Sequence, residues 1–528
     1  MIDNGSSPDA GRGLLLQRAL LLSPTLGRRA MQDIEIAPDG RIAAVEDHRS
    51  PHVVPPGYRV LDLDGHAVIP GLIDTHFHLL ATALAAASVD LSGASTVGEI
   101  QDRLAAASTT IGGWVLGSGF EDNDLPPGET LDRDALDAVS GETAIFVEHR
   151  SLHFAVLNSV GLARVGVETK GLSHGGDDPW RTGIQGPRLA AARRDVVLAM
   201  GAQARLDGMR LISARMASRG ATTIGAVEGG ELFGDADLEA IARGLDDFAT
   251  WIVPFWVSTD VATAARLGLS RIGGDVLLDG TLGSRTAAIW KPYLDDPSTN
   301  GLLYRRQEDV DAFMRDCYRL GIQPAVHAIG GRAIEQALIA IERMGNATDR
   351  EECRPRIDHF GEPTREQIGR AARLGVAVAS QPPFAFLRGA PGAIYEQRLG
   401  AARVAETYPF RHLVDEGVHL GGGSDSPVVP MDPILGLHSL VNGHHETQRL
   451  SVREALDVYT REAAWVCRQD EIKGDIRVGL LADLAVLDQD LFTIAPERIR
   501  DTEVLLTLKA GRITFNAGAG AAQSDVAE

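Results

Sequence analysis

"VIPGLIDTHFHLL", residues 68–80, decides how this chain is read. An apolar run enters, Pro70-Gly71 interrupts it, and a second short run ends on two imidazoles, His76 and His78, on either side of Phe77. In an extended strand, alternate residues point to the same face. His76 and His78 can therefore face one ion together, as a clamp at the C-terminal end of a strand. Such a pair is a weak signal by itself, because surface histidines are common. Its meaning depends on what the rest of the chain brings to the same place.

Outward from this stretch, apolar strand-like runs alternate with helical stretches of 3–4 periodicity. Eight runs read as strands, near residues 69–76, 221–227, 251–258, 274–279, 323–328, 355–359, 375–381 and 418–424. This is the pattern of a parallel (β/α)8 barrel. Residues 82–205 fall between the first two strands as a large insertion, expected to form a lid over the barrel mouth. Both chain ends are β-rich: "IAPDGRIAAV" carries a hairpin signal and "KAGR" a tight turn. The expected organisation is a distorted TIM-like barrel over 69–469 and a small β-sandwich from 11–68 plus 470–516, with a disordered tail at 517–528.

Side chains at the C-terminal ends of barrel strands converge on one mouth. That rule collects His76 and His78 from strand one, Asp275 and Asp279 from strand four, His327 from strand five, His359 from strand six and Asp425 after strand eight. Imidazole nitrogen with carboxylate oxygen suits Zn²⁺ and its first-row neighbours. Each residue also has a bland reading. His327 in "AVHAIGG" and His359 in "RIDHF" could be core histidines bonded to carbonyls, and Asp425 in "GGGSDSPV" could be a turn aspartate. Order, spacing and strand-end placement together favour the metal. "GVHLGGGSD" lacks the Lys and Ser/Thr of a P-loop, so a phosphate cradle is not expected. Arg285, Trp290 and Tyr293 follow strand four, where they either wall the substrate or pack the loop.

Bulk properties exclude some partners. Lys plus Arg number 51 against 72 Asp plus Glu, a net charge of −21, which disfavours nucleic acid and anionic membrane. Three widely spaced cysteines form neither a disulfide framework nor a CxxC site and fit a reducing compartment. "LLLQRALLL" is interrupted by Gln17 and Arg18, so no signal peptide is read there, and no run is apolar enough to span a membrane. A cytoplasmic enzyme with a small-molecule substrate is expected, and base rates favour a homodimer.

"VIPGLIDTHFHL", "DGTLGSRTAAIWKPYLDD", "HAIGGRAI", "RIDH", "SQPP", "RLGAAR", "GSDSPVVPMDPILGL", "EALDVYTREAAW" and "KGDIRVGLLADLAVLD" occur in this order. Together they resemble the amidohydrolase superfamily, in its YtcJ-like branch that includes N-substituted formamide deformylase. The resemblance runs from about residue 30 to 515 and implies the same barrel-plus-sandwich fold. It implies His76, His78, His327, His359 and Asp425 as metal ligands, and a substrate-facing insertion in which His153 and Asn158 match the family's positions. Two departures stand out. Asp275 replaces the lysine found four residues before the Asp-Gly of strand four, and Gly331 replaces the Asp of "HAIGD". The chain's four lysines are Lys170, Lys291, Lys473 and Lys509, none of them on strand four, so a bridging lysine carbamate cannot form there. One zinc is therefore expected, bound by His76, His78, His327 and Asp425 with His359 as a fifth ligand or oxyanion donor, and two ions are the alternative; Asp275 is either a further ligand or points outward.

The implied activity is hydrolysis of an amide C–N bond, N-acyl or N-formyl, by a metal-activated water. Asp425 is the expected base and then acid, and His359 a ligand or a donor to the oxyanion. Deamination or opening of a cyclic imide or lactam is the alternative within the superfamily. A non-catalytic binding protein with a decayed site is the alternative outside it.

Overall fold

The computed structural model describes residues 12–49, 54, 56–107, 110–167, 183–238, 241, 247–345 and 352–520. Eight parallel strands form the central barrel: β1 Leu72–Phe77, β2 Ala221–Glu228, β3 Trp251–Trp256, β4 Arg271–Leu277, β5 Gln323–Ala328, β6 Arg356–His359, β7 Ala377–Ser380 and β8 His419–Gly422. Each overlaps one of the runs expected from the sequence. They pair in chain order from β1 to β8. The seam between β8 and β1 is closed by individual hydrogen bonds, from Thr75 Oγ1 to the Gly422 carbonyl at 3.0 Å and from the Asp425 N–H to the His76 carbonyl at 2.8 Å. Two of the candidate ligands thus sit on the seam itself.

The barrel is distorted at β4. Gly273 and Gly274 have φ of 97° and 90°, a left-handed conformation that favours glycine. A Cβ at Gly273 would lie 1.9 Å from the Ala325 carbonyl oxygen. The β4–β5 register shifts after Gly273, and β3 and β4 pair only through Trp256 and Ile272. This irregularity immediately precedes Asp275 and re-aims it. Below the mouth the barrel is filled by Ile73, Val227, Val253, Phe255 and Ala325, with Ala463, Ala464 and Cys467 of the β8-following region packed among them. Cys317, Cys353 and Cys467 are all buried and free.

Strands from both chain ends form one eight-stranded sheet: Leu14–Ser23, Gly27–Ile36, Ile42–Asp47, Arg59–Asp62, Ala67–Pro70, Leu484–Leu487, Val504–Lys509 and Arg512–Asn516. Its core joins Leu16, Leu21 and Ile34 from the first end to Leu484, Val486 and Leu508 from the second. Both turn signals appear as antiparallel hairpins, 27–36 with 42–47 and 504–509 with 512–516. Ala517–Gly520 form a short helical turn, and residues 521–528 of the expected disordered tail lie outside the described residues.

The chain between β1 and β2 carries its own five-stranded sheet, Val89–Asp90, Trp114–Phe120, Ala144–His149, Phe154–Leu157 and Ile184–Gln185. The buried Asn158 holds its interior: its Oδ1 accepts from the Ile145 and Gly161 N–H groups, and its Nδ2 donates to the Ser140 and Thr143 carbonyls. No helix among the described residues is long and apolar enough to cross a membrane.

Candidate active site

The mouth of the barrel gathers the strand-end residues into one buried cluster. His78 Nε2 lies 3.0 Å from Asp425 Oδ1 and 3.2 Å from Asp275 Oδ2. His76 Nε2 lies 3.5 Å from Asp425 Oδ1 and 3.6 Å from Asp275 Oδ1. The His359 ring is 5.0 Å from that of His76 and 4.4 Å from that of His327. Two sets of ligand atoms fall within 4.8 Å of one another, His76/His78/Asp275 and His76/His359/Asp425. His327 belongs to neither set.

Each imidazole presents Nδ1 to a neighbour that fixes its role. His78 Nδ1 bonds the Val227 carbonyl at 3.1 Å, and His359 Nδ1 bonds Gln381 Oε1 at 2.7 Å. Both contacts call for a proton on Nδ1 and leave the Nε2 lone pair free. His76 Nδ1 faces Asp358 Oδ2 at 3.4 Å, and His327 Nδ1 faces Asp279 Oδ1 at 3.3 Å. Asp358 is held from behind by Arg356, which donates through Nε to Oδ1 and through its terminal nitrogen to the Thr75 carbonyl. Such outer partners orient metal-binding imidazoles.

The backbone is strained where it turns these groups inward. His359 and Asp425 have φ of 73° and 57°, conformations costing about 1–3 kcal/mol each that persist where the surroundings enforce them. Alternation along β6 would put Asp358 and His359 on opposite faces. The left-handed turn at His359 brings both to the site.

The electrostatics are those of a cation site filled by protons. Burial pulls His76 down, but Asp358 and Asp425 outweigh it and lift it to about 9. His78 is likewise raised against burial by Asp275 and Asp425. Burial alone would raise Asp275 and Asp425, yet the facing imidazoles hold both well below the usual carboxylate range. His359 drops to about 3 through burial and the nearby His327 and His76, so it is neutral and ready to ligate. His76 Nε2 and Asp275 Oδ1 are buried without a hydrogen-bond partner. A divalent cation between them would satisfy both and displace the protons, so the donor set fits a metal.

Asp279 supports the site without joining it. It is fully buried and accepts from the N–H groups of Ile329 at 3.0 Å, Gly330 at 2.8 Å and Ala288 at 2.8 Å, besides facing His327. Asp279→Ala would strand those donors and the imidazole. It is expected to destabilise the protein by about 3–5 kcal/mol, read as a lower urea midpoint. A wild-type midpoint would remove this supporting role.

Above the cluster is a cavity of about 1290 Å³, floored by His78, Asp275, His327, His359 and Asp425. The insertion walls it with His153, Phe154 and Arg193, and the segments after β4 and β7 with Arg285, Tyr304, Phe384, Arg388, Tyr395 and Arg398. The His153 ring is 6.2 Å from that of His327, and burial with that neighbour lowers it to about 3. Of the other wall residues expected from the sequence, Arg285 lines the cavity but is tied to Asp295 at 2.7 Å. Trp290 and Tyr293 do not line it. Trp290 is 52% exposed and covers Gly331, where a Cβ would lie 2.5 Å from its Nε1. Tyr293 is buried and donates to the Ala287 carbonyl at 2.9 Å, so both pack the loop. A side chain at 331 would displace the Trp290 ring.

One more His/carboxylate cluster, Glu121/Asp122/His149, lies on the cavity wall. The Ser151 N–H donates to His149 Nδ1 at 3.0 Å, which puts the ring proton on Nε2, between Glu121 Oε1 at 3.1 Å and Asp122 Oδ1 at 3.2 Å. That ring is already committed and offers no lone pair to an ion.

A parallel barrel with a His- and Asp-lined cation site at its C-terminal mouth defines a class of metal-dependent hydrolases. Over residues 59–515 the sequence matches the amidohydrolase family, and the chain belongs to it. It is 27% identical to YtcJ of Bacillus subtilis (strain 168) over 484 residues, covering 86% of this chain and 90% of that protein. It is 25% identical to an N-substituted formamide deformylase of Arthrobacter pascens over 516 residues, covering 90% of this chain and 93% of the relative. In fold it is similar to the crystal structure of an uncharacterized metal-dependent hydrolase from Pyrococcus horikoshii OT3. There the TM-score is 0.75 at 24% identity, over 92% of this chain and 99% of the other.

Proposed function

We propose that this amidohydrolase cleaves the C–N bond of an N-acyl or N-formyl amide, R–CO–NH–R′ plus water giving the acid and the amine. The observation that carries the reading is the Asp425 carboxylate on the cavity floor, 3.0 Å from His78 Nε2 and 3.5 Å from His76 Nε2. His76, His78, Asp275 and Asp425 are the proposed holders of one zinc, with His359 as fifth ligand, because its neutral ring is protonated on Nδ1 toward Gln381 and has no Nε2 proton to give an oxyanion. A bound divalent ion supplies acidified water and a polarised carbonyl. Asp425 accepts the proton of the attacking water and returns it to the leaving nitrogen. His327, raised against burial by the Asp279 carboxylate facing its Nδ1, donates from Nε2 to the developing oxyanion in its protonated form. His153 and the insertion enclose the substrate and exclude bulk water.

The similarity to a formamide deformylase supports the acyl class. The test is a panel of N-formyl amines, N-acyl amines, lactams and cyclic imides presented to zinc-loaded protein, scored for amine and ammonia release. Primary amine from the open-chain amides is expected. Turnover confined to ring substrates would move the activity to cyclic-amide hydrolysis, and ammonia release from an amino-substituted nitrogen heterocycle, run beside the panel, would move it to deamination. No turnover by protein with a full metal complement would sink the hydrolase reading.

A further inference from the structure

The guanidinium groups around the cavity differ in how far their charge is already matched. Arg193 is bound to Glu148 at 2.6 Å, and Arg285 forks onto Asp295 at 3.1 and 2.7 Å. Arg398 is also paired with Asp295, and donates to Asn123 Oδ1 at 2.6 Å and the Gly283 carbonyl at 2.9 Å. Arg194 also lines the cavity but is exposed, and among the other four Arg388 is the exception. Its side chain is only 15% exposed, and its nearest carboxylate oxygen is Glu121 Oε2, 3.8 Å away. The other oxygen of Glu121 is taken by His149 and Asn123. Among the described residues, the one hydrogen bond Arg388 makes runs to the Val428 carbonyl at 3.3 Å. A guanidinium carries more donors than these contacts use. A largely buried cation so loosely matched calls for an anion.

Its position suggests where the anion comes from. Arg388 ends the irregular helical segment Phe384–Arg388 that follows β7, and it lines the same cavity as the metal cluster. The guanidinium carbon lies 5.6 Å from the Phe384 ring centre, and that ring stacks on His359 with centres 6.2 Å apart and planes 12° from parallel. Arg388 is thus one aromatic ring removed from the cation site, along an apolar wall. We infer that Arg388 is an anion-recognition residue, and that the substrate carries a carboxylate away from its scissile amide, as an N-acyl amino acid does. The carboxylate meets the planar fork of Arg388 while the amide reaches the floor, and the apolar side chain of the substrate lies along Phe384. This inference rests on the amide-hydrolase reading, but its test separates the two.

The probes are N-formyl-phenylalanine and N-formyl-2-phenylethylamine, which differ by the carboxylate alone. They are assayed with zinc-loaded wild-type protein and with Arg388→Met, Arg388→Gln and Arg388→Lys. For wild type, kcat/KM should favour the carboxylate probe by about tenfold or more. Arg388→Met and Arg388→Gln should abolish the preference through KM, with kcat little changed, and Arg388→Lys should restore part of it. A preference that survives both neutral variants, or wild-type preference for the uncharged probe, overturns the inference. Calorimetric titration with 3-phenylpropionate is run in parallel, because carboxylate binding to the metal is common to all variants. If neither probe turns over, weaker binding to the neutral variants keeps the anion site and sinks the amide-hydrolase reading, whereas equal binding overturns the inference. Thermal unfolding of each variant identifies a misfolded one, and either neutral variant suffices.

Discussion

Asp425→Asn should lower kcat by about 10²- to 10⁴-fold, the range that a positioned proton carrier contributes. The substitution keeps the side chain's size and removes its ability to take and return a proton. Asp425 has little freedom to act otherwise. Its N–H is fixed to the His76 carbonyl across the β8–β1 seam, its backbone is held at φ 57°, and its carboxylate faces both His76 and His78. Those imidazoles keep it ionised far below neutral pH, so it is a base whenever substrate arrives. The same carboxylate is a candidate ligand, so metal content must be measured beside turnover. The decisive comparison is kcat at matched zinc per chain. A fully loaded Asn variant within tenfold of wild type would take the proton-carrying role away from Asp425.

The barrel was legible because most of its parallel strands are buried on both faces and read as apolar runs between helical stretches, with β6, Arg356–His359, the polar exception. Strand-end polarity then marked His76, His78, Asp275, His327, His359 and Asp425, which the structure brings to one mouth. The insertion's sheet was only partly legible: Val89–Asp90 and Ile184–Gln185 are two-residue strands with no run to read, whereas Trp114–Phe120 and Ala144–His149 are apolar runs readable as strands. Asp358 and Arg356 were missed for another reason. Strict alternation assigns Asp358 and His359 to opposite faces, and only the left-handed backbone at His359 defeats it. A charged pair inside so short a buried strand was the available signal. Trp290 and Tyr293 failed as wall residues because proximity in sequence to β4 does not set direction. The loop folds back on itself, through Tyr293 to the Ala287 carbonyl.

A single tightly held ion per chain is the expected result of metal analysis, and Asp275→Ala should weaken its binding by about 10²-fold or more, beyond what loss of an outer partner does. A lysine carbamate reaches between two ions about 3.5–4 Å apart on a long stem, whereas Asp275 is short. The double-glycine irregularity at 273–274 compensates by re-aiming the backbone, and the carboxylate then sits against His78 at 3.2 Å and His76 at 3.6 Å. That places it on the side of the strand-one clamp. The opposite side of the cluster holds His327 and His359, and among the described residues no three-residue set of close ligand atoms includes His327. Asp275 and Asp425 fall in two sets, His76/His78/Asp275 and His76/His359/Asp425, that share His76; with its Nδ1 facing Asp358, His76 has one nitrogen to give, so it serves a single ion. Asp358→Asn provides the graded comparison. It keeps an oxygen behind His76 but loses the charge, and should cost about 10–100-fold in affinity, less than Asp275→Ala. Chelator competition gives the affinities, and Co²⁺ absorption spectra of the two variants report the ligand field independently of turnover. An anomalous-scattering map with two full-occupancy ions bridged by Asp275 would overturn the single-ion claim. Undiminished affinity in Asp275→Ala would remove the carboxylate from the ligand set.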